Sequence, residues 1–208
     1  MVVGSGCGGL TAALTANISN GSKVLVIEKS SLIGGTSATS GGVIWIPNNH
    51  HAVEAGADDS ISEAKDYLTA TIPPDEFNEP SINAYLENGP KMVKFMEDNT
   101  DVSYSSLEHY PDYFQDAPGV KLGNRALEPS PVSADTLKDD VDNLHPSGPQ
   151  TILFGRYGVN FEESHAFTTQ SPGWLKLFLK IFFKYWLDIP WRITVSYTHL
   201  TLPTNCVV

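Results

Sequence analysis

Three glycines near the start of the chain have the spacing that lets a protein backbone approach a pyrophosphate. They form the pattern Gly4-x-Gly6-x-x-Gly9, with Ser5 and Gly8 among the intervening residues. In such a pattern the first glycine permits a tight turn, the second admits the phosphates, and the third lets a helix pack closely on a strand. We expect the phosphates to rest on the amides at the N-terminus of the following helix, where the helix dipole favours negative charge.

A strand, a helix and a second strand must hold these glycines in place. Residues 1–3 are typical of the end of a buried strand. Leu10–Asn20 predicts a helix that ends at Gly21, and Lys23–Ile27 is an apolar run typical of a parallel strand covered on both faces. This βαβ order predicts the α/β class, with a Rossmann-like nucleotide-binding domain.

Two further residues refine the expected ligand. Glu28 ends the second strand about 20 residues beyond the glycines, where an acidic side chain binds ribose hydroxyls and disfavours the 2′-phosphate of NADP. Cys7 lies inside the glycine pattern. We interpret it as a small apolar filler under the helix rather than a redox group, because no second cysteine is near.

A second loop, residues 34–42, is dense in glycines and hydroxyl groups. Glycines allow close backbone approach, and hydroxyls can bond phosphate oxygens or the edge of a flavin. The candidate cofactor-binding residues of this loop and the strand end before it are Glu28, Lys29, Gly34, Gly35, Thr36, Ser37, Thr39, Ser40, Gly41 and Gly42. Since NAD domains do not usually continue from the acidic strand into such a loop, the pattern favours FAD over NAD.

These motifs resemble the flavoprotein family that includes the fumarate reductase and succinate dehydrogenase flavoprotein subunits and the 3-ketosteroid dehydrogenases. Ser40–Asn49, with its Ser-Gly-Gly, Trp, Pro and Asn, is most similar to the ketosteroid dehydrogenase branch, and the similarity continues at residues 55–60, 110–114 and 125–131. The resemblance implies an incomplete Rossmann-like FAD-binding domain, with helical and loop insertions that begin the substrate-facing region. His50 and His51 come too late to be a covalent-flavin histidine, and we expect them to be exposed.

The same resemblance implies an FAD-dependent oxidoreductase that introduces a C=C bond beside a ketone, as a 3-ketosteroid 1-dehydrogenase does with a hydrophobic, steroid-like substrate. A tyrosinate-type base would take the α-proton while the β-hydrogen leaves as hydride. One tyrosine of the Pro-Asp-Tyr segment assists that base, which implies Tyr113, with Tyr110 as the second candidate. A buried aromatic side chain bonded to the backbone is the alternative for both. We expect the main base to lie beyond this chain, and the electron acceptor stays open.

Two other functions remain open. A fumarate reductase type of enzyme, acting on a small dicarboxylate, would need arginines to clamp the carboxylates, and only Arg125, Arg156 and Arg192 are available. A non-catalytic dinucleotide-binding fragment is the third hypothesis. We expect no metal site, because the other histidines lack the spacing of metal ligands.

The remaining sequence predicts mainly helices and loops. Ser60 and Glu63 form a capping box for a helix to about Ala70. Two helices are predicted within Ser81–Asp98, separated at Gly89-Pro90, and Asp101–Gln150 is typical of loops.

A lysine-striped helix is predicted from Trp174 to Trp191, ended by Pro190. Its narrow polar stripe favours a mostly buried helix whose lysines reach water. The alternative is an interfacial helix, residues 174–189, that makes peripheral membrane contact and collects a hydrophobic substrate.

The composition excludes several classes of protein. The 208 residues are 41% hydrophobic and 18% charged, with a net charge of −11 and two cysteines. An acidic chain without a basic stripe is not a general nucleic-acid binder, and no uninterrupted run of about 18 apolar residues predicts a membrane span. No charged segment precedes an apolar core at the N-terminus, so we expect no export signal and a cytoplasmic location.

The last residues resemble a translated sequencing adapter. The peptide Thr194–Thr204 back-translates to a transposon end followed by adapter sequence, and it recurs in translated metagenomic assemblies. We therefore expect native coding sequence to stop at about Ile193. The expected organisation is residues 1–135 as the N-terminal part of an FAD-binding domain, 136–193 as an incomplete helical and loop segment, and 194–208 as a non-native tail.

Overall fold

Short strands and helices of very different lengths make up the chain. The computed structural model describes residues 1–130, 132–133, 137–146, 152–153, 157–170, 173–187 and 201–202. In chain order, the strands are β1 (Val2–Val3), β2 (Val26–Ile27), β3 (Ile44–Trp45), β4 (Tyr104–Ser106), β5 (Ala126–Pro129), β6 (Val132–Ser133), β7 (Ile152–Leu153), β8 (Tyr157–Gly158) and β9 (Thr201–Leu202). The helices are α1 (Cys7–Asn20), α2 (Gly35–Thr39), α3 (His50–Glu54), α4 (Ile61–Thr71), α5 (Glu79–Asn99), α6 (Phe161–Thr169) and α7 (Trp174–Leu187), and a 3₁₀ helix spans Lys138–Asn143.

The chain divides into two compact units. The first unit consists of Met1–Gly42 and Ser130–Val208, and the second unit is Val43–Pro129. The first unit begins with the predicted βαβ arrangement: β1 and β2 pair in parallel, and α1 connects them. The predicted α/β class is therefore confirmed.

Helix α1 begins earlier than predicted and ends where predicted. It starts at Cys7 rather than Leu10, because Gly6, with an extended backbone, already serves as its N-cap. At the other end Gly21 has a φ of +66°, and its amide donates to the carbonyl of Asn17. This left-handed glycine is a usual C-cap.

The strands of this βαβ unit are less covered than the apolar sequence predicts. Only Val26–Ile27 of the predicted run pairs as a strand. Val3, Leu25 and Ile27 are 76%, 62% and 40% exposed. The prediction of a parallel strand covered on both faces is therefore wrong for the described residues, because the face that carries Val3, Leu25 and Ile27 is exposed.

A three-stranded antiparallel sheet in the order β3–β5–β4 lies in the second unit. Ile44 pairs with Leu127 across β3 and β5. Ile46, Val93 and Leu127 are at most 3% exposed and form a hydrophobic core between the sheet and α5. Two of these strands lie in the segment predicted as loop over Asp101–Gln150, because each is too short to show the alternation that predicts a strand.

Helix α4 has the predicted start. The Ser60 hydroxyl accepts the amide of Glu63, as an N-cap should. The Glu63 carboxylate bonds the Ser60 hydroxyl at 2.9 Å, whereas the Ser60 amide donates to Asp59, so only half of the predicted capping box forms.

Helix α5 is one continuous helix where two were predicted. Asn78 caps its N-terminus, and Pro90 lies in its interior. The buried residues of the helix are Leu86, Gly89, Val93 and Met96. This apolar stripe runs through Gly89 and Pro90, and its burial outweighs the helix-breaking tendency of that pair.

Helix α7 exposes much of its apolar surface. Its large apolar side chains that are 37% to 75% exposed are Leu175, Phe178, Leu179, Phe183, Trp186 and Leu187. The prediction of a mostly buried helix is therefore wrong for the described residues, although Ile181 is 1% exposed. No helix in the described ranges is both long and apolar enough to cross a membrane. The predicted stop at Pro190 and the tail from 194 lie outside the described residues, except Thr201–Leu202.

Candidate cofactor-binding and active site

The glycine turn after β1 leaves the N-terminus of α1 open. The amide of Gly4 donates to the carbonyl of Ile27 at 2.7 Å, which fixes the turn to β2. Gly6, the N-cap of α1, has no side chain that could cap the helix, and the first turn carries no acidic residue. The amide of Cys7 donates to Ser37 Oγ at 3.1 Å, at the edge of this helix end. The amides of a first helical turn attract phosphate oxygens, so this end of α1 is suited to a pyrophosphate.

Sterics require glycine at two positions of the predicted site. A Cβ on Gly9 would lie 2.0 Å from the carbonyl oxygen of Gly4, so α1 could not pack against the turn. Gly34 has a φ of +98°, and a Cβ there would lie 2.7 Å from the Cβ of Ala38. Gly9 thus has the packing role that the pattern predicts. Gly34 is required by its backbone conformation and by Ala38, and its predicted role in cofactor binding stays a prediction.

At two other positions, Gly8 and Gly41, neither packing within the protein nor backbone conformation requires glycine. A Cβ on Gly8 or Gly41 would meet no described atom within 4 Å outside its immediate neighbours and its own helix. Neither residue has a left-handed backbone. The space that these side chains would fill is the space that a nucleotide lying close to the backbone would need.

Glu28 joins the two glycine-rich loops. Both the amide and the hydroxyl of Ser5 donate to Glu28 Oε2, at 2.9 and 2.7 Å, and the amide of Ser30 donates to Oε1. The Ser5 hydroxyl also accepts the amide of Gly34 at 3.0 Å. The hydrogen bond from the Ser5 hydroxyl, followed by those from the amides of Ser30 and Ser5, lowers the pKa of Glu28 from 4.5 to about 2. The carboxylate therefore stays ionised, and Oε1 keeps a lone pair for a ribose hydroxyl.

The hydroxyls of the second loop lie in and after the short helix α2, where an open loop was predicted. Ser37 Oγ accepts the amide of Cys7 at 3.1 Å, which brings α2 to the N-terminus of α1. The hydroxyls of Thr39 and Ser40 donate to the carbonyls of Thr36 and Ser37. Their predicted bonds to a cofactor therefore depend on their remaining lone pairs, and these roles stay predictions.

Cys7 and Lys29 border this candidate cofactor site. Cys7 is a free, exposed thiol, so its interpretation as a filler beneath the helix is wrong. Cys7 is the first residue of α1, at the solvent-exposed start of the helix. Lys29 is exposed next to Glu28.

The second unit contains an aromatic cavity of about 310 Å³. Its walls come from the end of α4, from β3 and the residue before it, from the loop after β4 and from the start of β5. The lining residues are Val43, Trp45, Tyr67, Leu68, Thr71, Tyr110, Pro111, Asp112, Tyr113, Phe114 and Ala126. Such a shape and lining suit an apolar ring system of limited size.

Both candidate catalytic tyrosines line this cavity. The hydroxyls of Tyr110 and Tyr113 are 3.2 Å apart, and the rings are tilted by 54°. The hydrogen bond to Tyr113, assisted by desolvation, raises the pKa of Tyr110 to about 12. Tyr113 is 81% exposed, so the alternative of a buried aromatic bonded to the backbone is wrong for this residue.

Asp112, between the two tyrosines, fixes their loop. Its carboxylate accepts the indole N–H of Trp45 at 2.7 Å, the amide of Lys121 at 2.9 Å and Nη1 of Arg125 at 2.8 Å. Arg125 also donates through Nε and Nη2 to Asp59. Asp112 therefore ties the tyrosine loop to a buried arginine.

Arg125 is enclosed on all sides. Its side chain is 1% exposed, and Cζ lies 5.6 and 5.9 Å from the ring centroids of Trp45 and Tyr67. Sequence reasoning missed this network, although Asp112 and Arg125 both lie in quoted motifs. A single arginine forms no periodic pattern in the sequence, so its pairing with Asp59 and Asp112 could be found only from the folded structure. Arg156 and Arg192, the other candidate carboxylate clamps, lie outside the described residues.

His50 and His51 are not exposed as predicted. Their side chains are 26% and 24% exposed, and both rings contact the carboxylate of Glu97. The prediction is wrong because α5, far along the chain, covers the first turn of α3.

Comparison with known proteins decides the family. The model of the FAD binding domain family matches residues 1–140. The chain belongs to this FAD-binding family. FAD is therefore confirmed over NAD, and the open end of α1, the ionised Glu28 and the unfilled space at Gly8 and Gly41 fit that cofactor.

Similar proteins are considerably longer than this FAD-binding chain. A 4-oxocyclohexanecarboxylate 2-dehydrogenase of Sinomonas cyclohexanicum is 41% identical over 81% of this chain and 28% of its own length. A 3-oxosteroid 1-dehydrogenase of Comamonas testosteroni is 34% identical over 92% of this chain and 33% of its own length. A further match is the crystal structure of 3-ketosteroid Δ1-dehydrogenase from Sterolibacterium denitrificans in complex with 1,4-androstadiene-3,17-dione. Its sequence is 38% identical to this chain, and the match covers 99% of this chain and 36% of the dehydrogenase chain, with a TM-score of 0.87. The chain thus spans about a third of the length of the relatives it matches.

Proposed function

We propose that this chain is part of an FAD-dependent dehydrogenase that introduces a C=C bond beside the ketone of an apolar cyclic substrate, with 3-ketosteroids as the substrate class. The observation that carries the proposal is the similarity, at a TM-score of 0.87, to a 3-ketosteroid dehydrogenase over 99% of the chain. When bound, FAD would accept the hydride that leaves the β-carbon.

The tyrosine pair supplies the proton chemistry of this proposal. The hydrogen bond with Tyr113 raises the pKa of Tyr110 to about 12, so Tyr110 keeps its proton well above neutral pH, and its hydroxyl can donate to Tyr113 at 3.2 Å. A hydrogen bond donated to the Tyr113 oxygen stabilises negative charge there. Tyr113 would then assist the base that removes the acidic α-proton, and Tyr110 would act through Tyr113.

The cavity favours an apolar ketone over a carboxylate substrate. No lysine, arginine or histidine is among its described lining residues. Arg125, the nearest guanidinium in sequence, is occupied by Asp59 and Asp112. A small dicarboxylate would need cationic groups to replace its hydration, so the fumarate reductase type of function is less well supported.

A smaller cyclic ketone is the second candidate substrate. The relative from Sinomonas cyclohexanicum, 41% identical to this chain, is named for the dehydrogenation of an oxocyclohexane ring that bears a carboxylate. The ring chemistry would be the same. The lack of a cation in the described lining favours the steroid.

The proposal is tested on the full-length parent protein, loaded with FAD and supplied with an artificial electron acceptor. We expect turnover of a 3-ketosteroid, weaker turnover of 4-oxocyclohexanecarboxylate and none of succinate or fumarate. Turnover of the dicarboxylates alone, or binding of FAD without turnover of any of these substrates, would overturn the proposal.

The tyrosine roles are tested by removal of single hydroxyl groups. Tyr113→Phe should lower kcat by about 100-fold, because assistance to proton transfer has that order of magnitude. Tyr104→Phe is the matched control, because Tyr104 packs against the Ile46–Val93–Leu127 core and does not line the cavity, and we expect its kcat within about twofold of wild type. Equal kcat values for Tyr113→Phe and wild type would contradict the assignment.

We also propose that the enzyme is cytoplasmic and that helix α7 makes peripheral contact with a membrane surface. Leu175, Leu179 and Phe183 recur at intervals of four residues and are exposed. An apolar stripe of this kind lies in the interfacial region of a bilayer, where a steroid would also partition. We expect the protein to sediment with neutral phosphatidylcholine vesicles, and Leu179→Gln with Phe183→Gln to abolish this. A wild-type protein that stays in the supernatant would refute the contact.

A further inference from the structure

Two adjacent histidines of α3 direct the same ring nitrogen at one carboxylate of α5. Nε2 of His50 lies 2.8 Å from Glu97 Oε2, and Nε2 of His51 lies 2.9 Å from Glu97 Oε1. The three side chains are 26%, 24% and 13% exposed, so they form a half-buried cluster that opens to solvent on one side.

The backbone that carries this cluster is firmly held. Asn49, which is fully buried, caps α3: its side chain accepts the amide of Ala52 and donates to the carbonyls of Ile46 and Asn124. On the opposite side, Glu97 Oε1 accepts the amide of Tyr104 at 2.8 Å. The first turn of α3 and the carboxylate therefore have fixed positions, as metal ligands need.

We propose that His50, His51 and Glu97 form a binding site for a divalent transition-metal ion, with Zn²⁺ as the ion that fits best. Two imidazole nitrogens and one carboxylate oxygen are a common zinc ligand set, and water from the open side would be the fourth ligand. This site is separate from the Tyr110–Tyr113 pair and does not depend on the proposed dehydrogenase function.

The distances are compatible with such an ion. All three ligand atoms lie within 4.8 Å of one another. Zinc bonds of about 2.0–2.1 Å in tetrahedral geometry place neighbouring ligand atoms about 3.3 Å apart. The two His–Glu contacts of 2.8 and 2.9 Å would each have to lengthen by about half an ångström, while the two imidazole nitrogens lie within 4.8 Å of each other. Side-chain torsions can supply shifts of this kind.

The two imidazole rings lie close enough to share one ion. Their centroids are 4.1 Å apart, and the ring planes are tilted by 35°. A dication held by the two ring nitrogens would also be attracted by the negative charge of the Glu97 carboxylate. Nδ1 of His50 is buried and lacks a partner among the described residues, so this ring is held through Nε2 alone.

The test is metal binding by the purified full chain, prepared without a polyhistidine tag. We expect one equivalent of Zn²⁺ to bind by calorimetry, and Co²⁺ to give the intense visible absorption of a four-coordinate site. Zn²⁺ should also raise the Tm, because it binds the folded state only. His51→Gln and Glu97→Gln should each weaken Zn²⁺ binding by about tenfold or more. Loss of a residue that only supports a metal ligand already lowers metal affinity by about that factor, and loss of the ligand itself should lower it at least as much.

Matched variants separate ligation from general effects. His109→Gln and Glu87→Gln change the same residue types outside the cluster, and we expect their affinity for Zn²⁺ to equal that of wild type. Glu97→Gln keeps an oxygen that can accept the Tyr104 amide, so the fold is preserved. Binding that is equal in wild type and Glu97→Gln, or the weak spectrum of octahedral Co²⁺, would overturn the proposal.

Discussion

Arg125 is the residue whose environment explains most of the local order around the aromatic cavity. A guanidinium that is 1% exposed must have all its charge satisfied internally, and here Asp59 and Asp112 do so from two sides. Asp112 in turn accepts the indole N–H of Trp45. The position of the loop that carries Tyr110 and Tyr113 is therefore set by a buried ion network.

Replacement of Arg125 should be among the most damaging single changes in the second unit. Arg125→Met leaves two buried carboxylates without a counter-ion, and we expect a loss of about 3–5 kcal/mol in the free energy of unfolding, measured with urea. Lys65→Met, which removes an exposed pair with Glu79, should have a far smaller effect. Equal unfolding midpoints for the two variants would contradict the role of Arg125.

The sequence predicted individual candidate site residues, whose roles stay predictions, but not the residues they contact. Glu28 was predicted from its place at the end of a strand, and Tyr113 from a motif. The contact of Glu28 with Ser5, and that of Arg125 with Asp59, join residues far apart in the chain. Such pairs depend on tertiary packing, which neither spacing nor composition encodes.

The first turn of α1 shows two different reasons for glycine within one element. Gly9 is required by the protein itself, because its Cβ would lie 2.0 Å from the Gly4 carbonyl. A Cβ on Gly8 would meet no described atom within 4 Å, so a side chain there would clash only with a bound nucleotide.

This difference predicts opposite behaviour for two alanine variants. Gly9→Ala should lower both the stability of the FAD-free protein and its affinity for FAD. Gly8→Ala should leave the stability unchanged or raise it by up to about 1 kcal/mol, since alanine favours helix, while it weakens FAD binding. Urea unfolding without FAD and a titration of FAD fluorescence measure the two effects. A Gly8→Ala variant with wild-type FAD affinity would show that no nucleotide passes over this residue.

Helix α5 shows how packing overrides a local signal. Gly89-Pro90 predicted a break, but the buried side chains of Leu86, Val93 and Met96 lie on one face of an unbroken helix. The cost of the proline is local: its ring has no amide to donate to the carbonyl of Leu86. Burial on both sides of it exceeds that cost.

Removal of this proline should therefore stabilise the protein. We expect Pro90→Ala to raise the free energy of unfolding by about 1–3 kcal/mol, because the missing helical hydrogen bond is restored. Pro80, at the start of the same helix, replaces an amide that has no helical partner, so Pro80→Ala is the control with little change. A decrease in stability for Pro90→Ala would mean that α5 needs its proline.

At the scale of the whole molecule, the class and the family could be predicted, but not the division into units. The glycine motifs and their resemblance to flavoproteins gave the correct FAD-binding family. Val43–Pro129 forms its own unit because β3 pairs with β5, which lies at the other end of that segment. Gly41-Gly42 stands before this unit and Pro129 at its end, but the glycines were assigned to the cofactor loop, and a single proline does not show which distant strands pair.

The ionisable groups of the two units together predict a plateau in the dependence of stability on pH. The folded state lowers the pKa of Glu28 from 4.5 to about 2, so the stability it confers is present above about pH 4.5 and is lost as the pH falls towards 2. The folded state raises the pKa of Tyr110 from 10.0 to about 12. Its contribution is therefore present below pH 10 and is lost as the pH rises towards 12.

Two variants assign the edges of this plateau. Urea midpoints measured from pH 3 to 11 should fall on both sides of the plateau for wild type. Glu28→Gln should make the acid side less steep and leave the alkaline side unchanged, because glutamine cannot take up a proton. Tyr110→Phe should do the reverse, since the hydroxyl that titrates is absent. If each variant kept both wild-type slopes, the hydrogen bonds from Ser5 to Glu28 and between the two tyrosines would not control these ionisations.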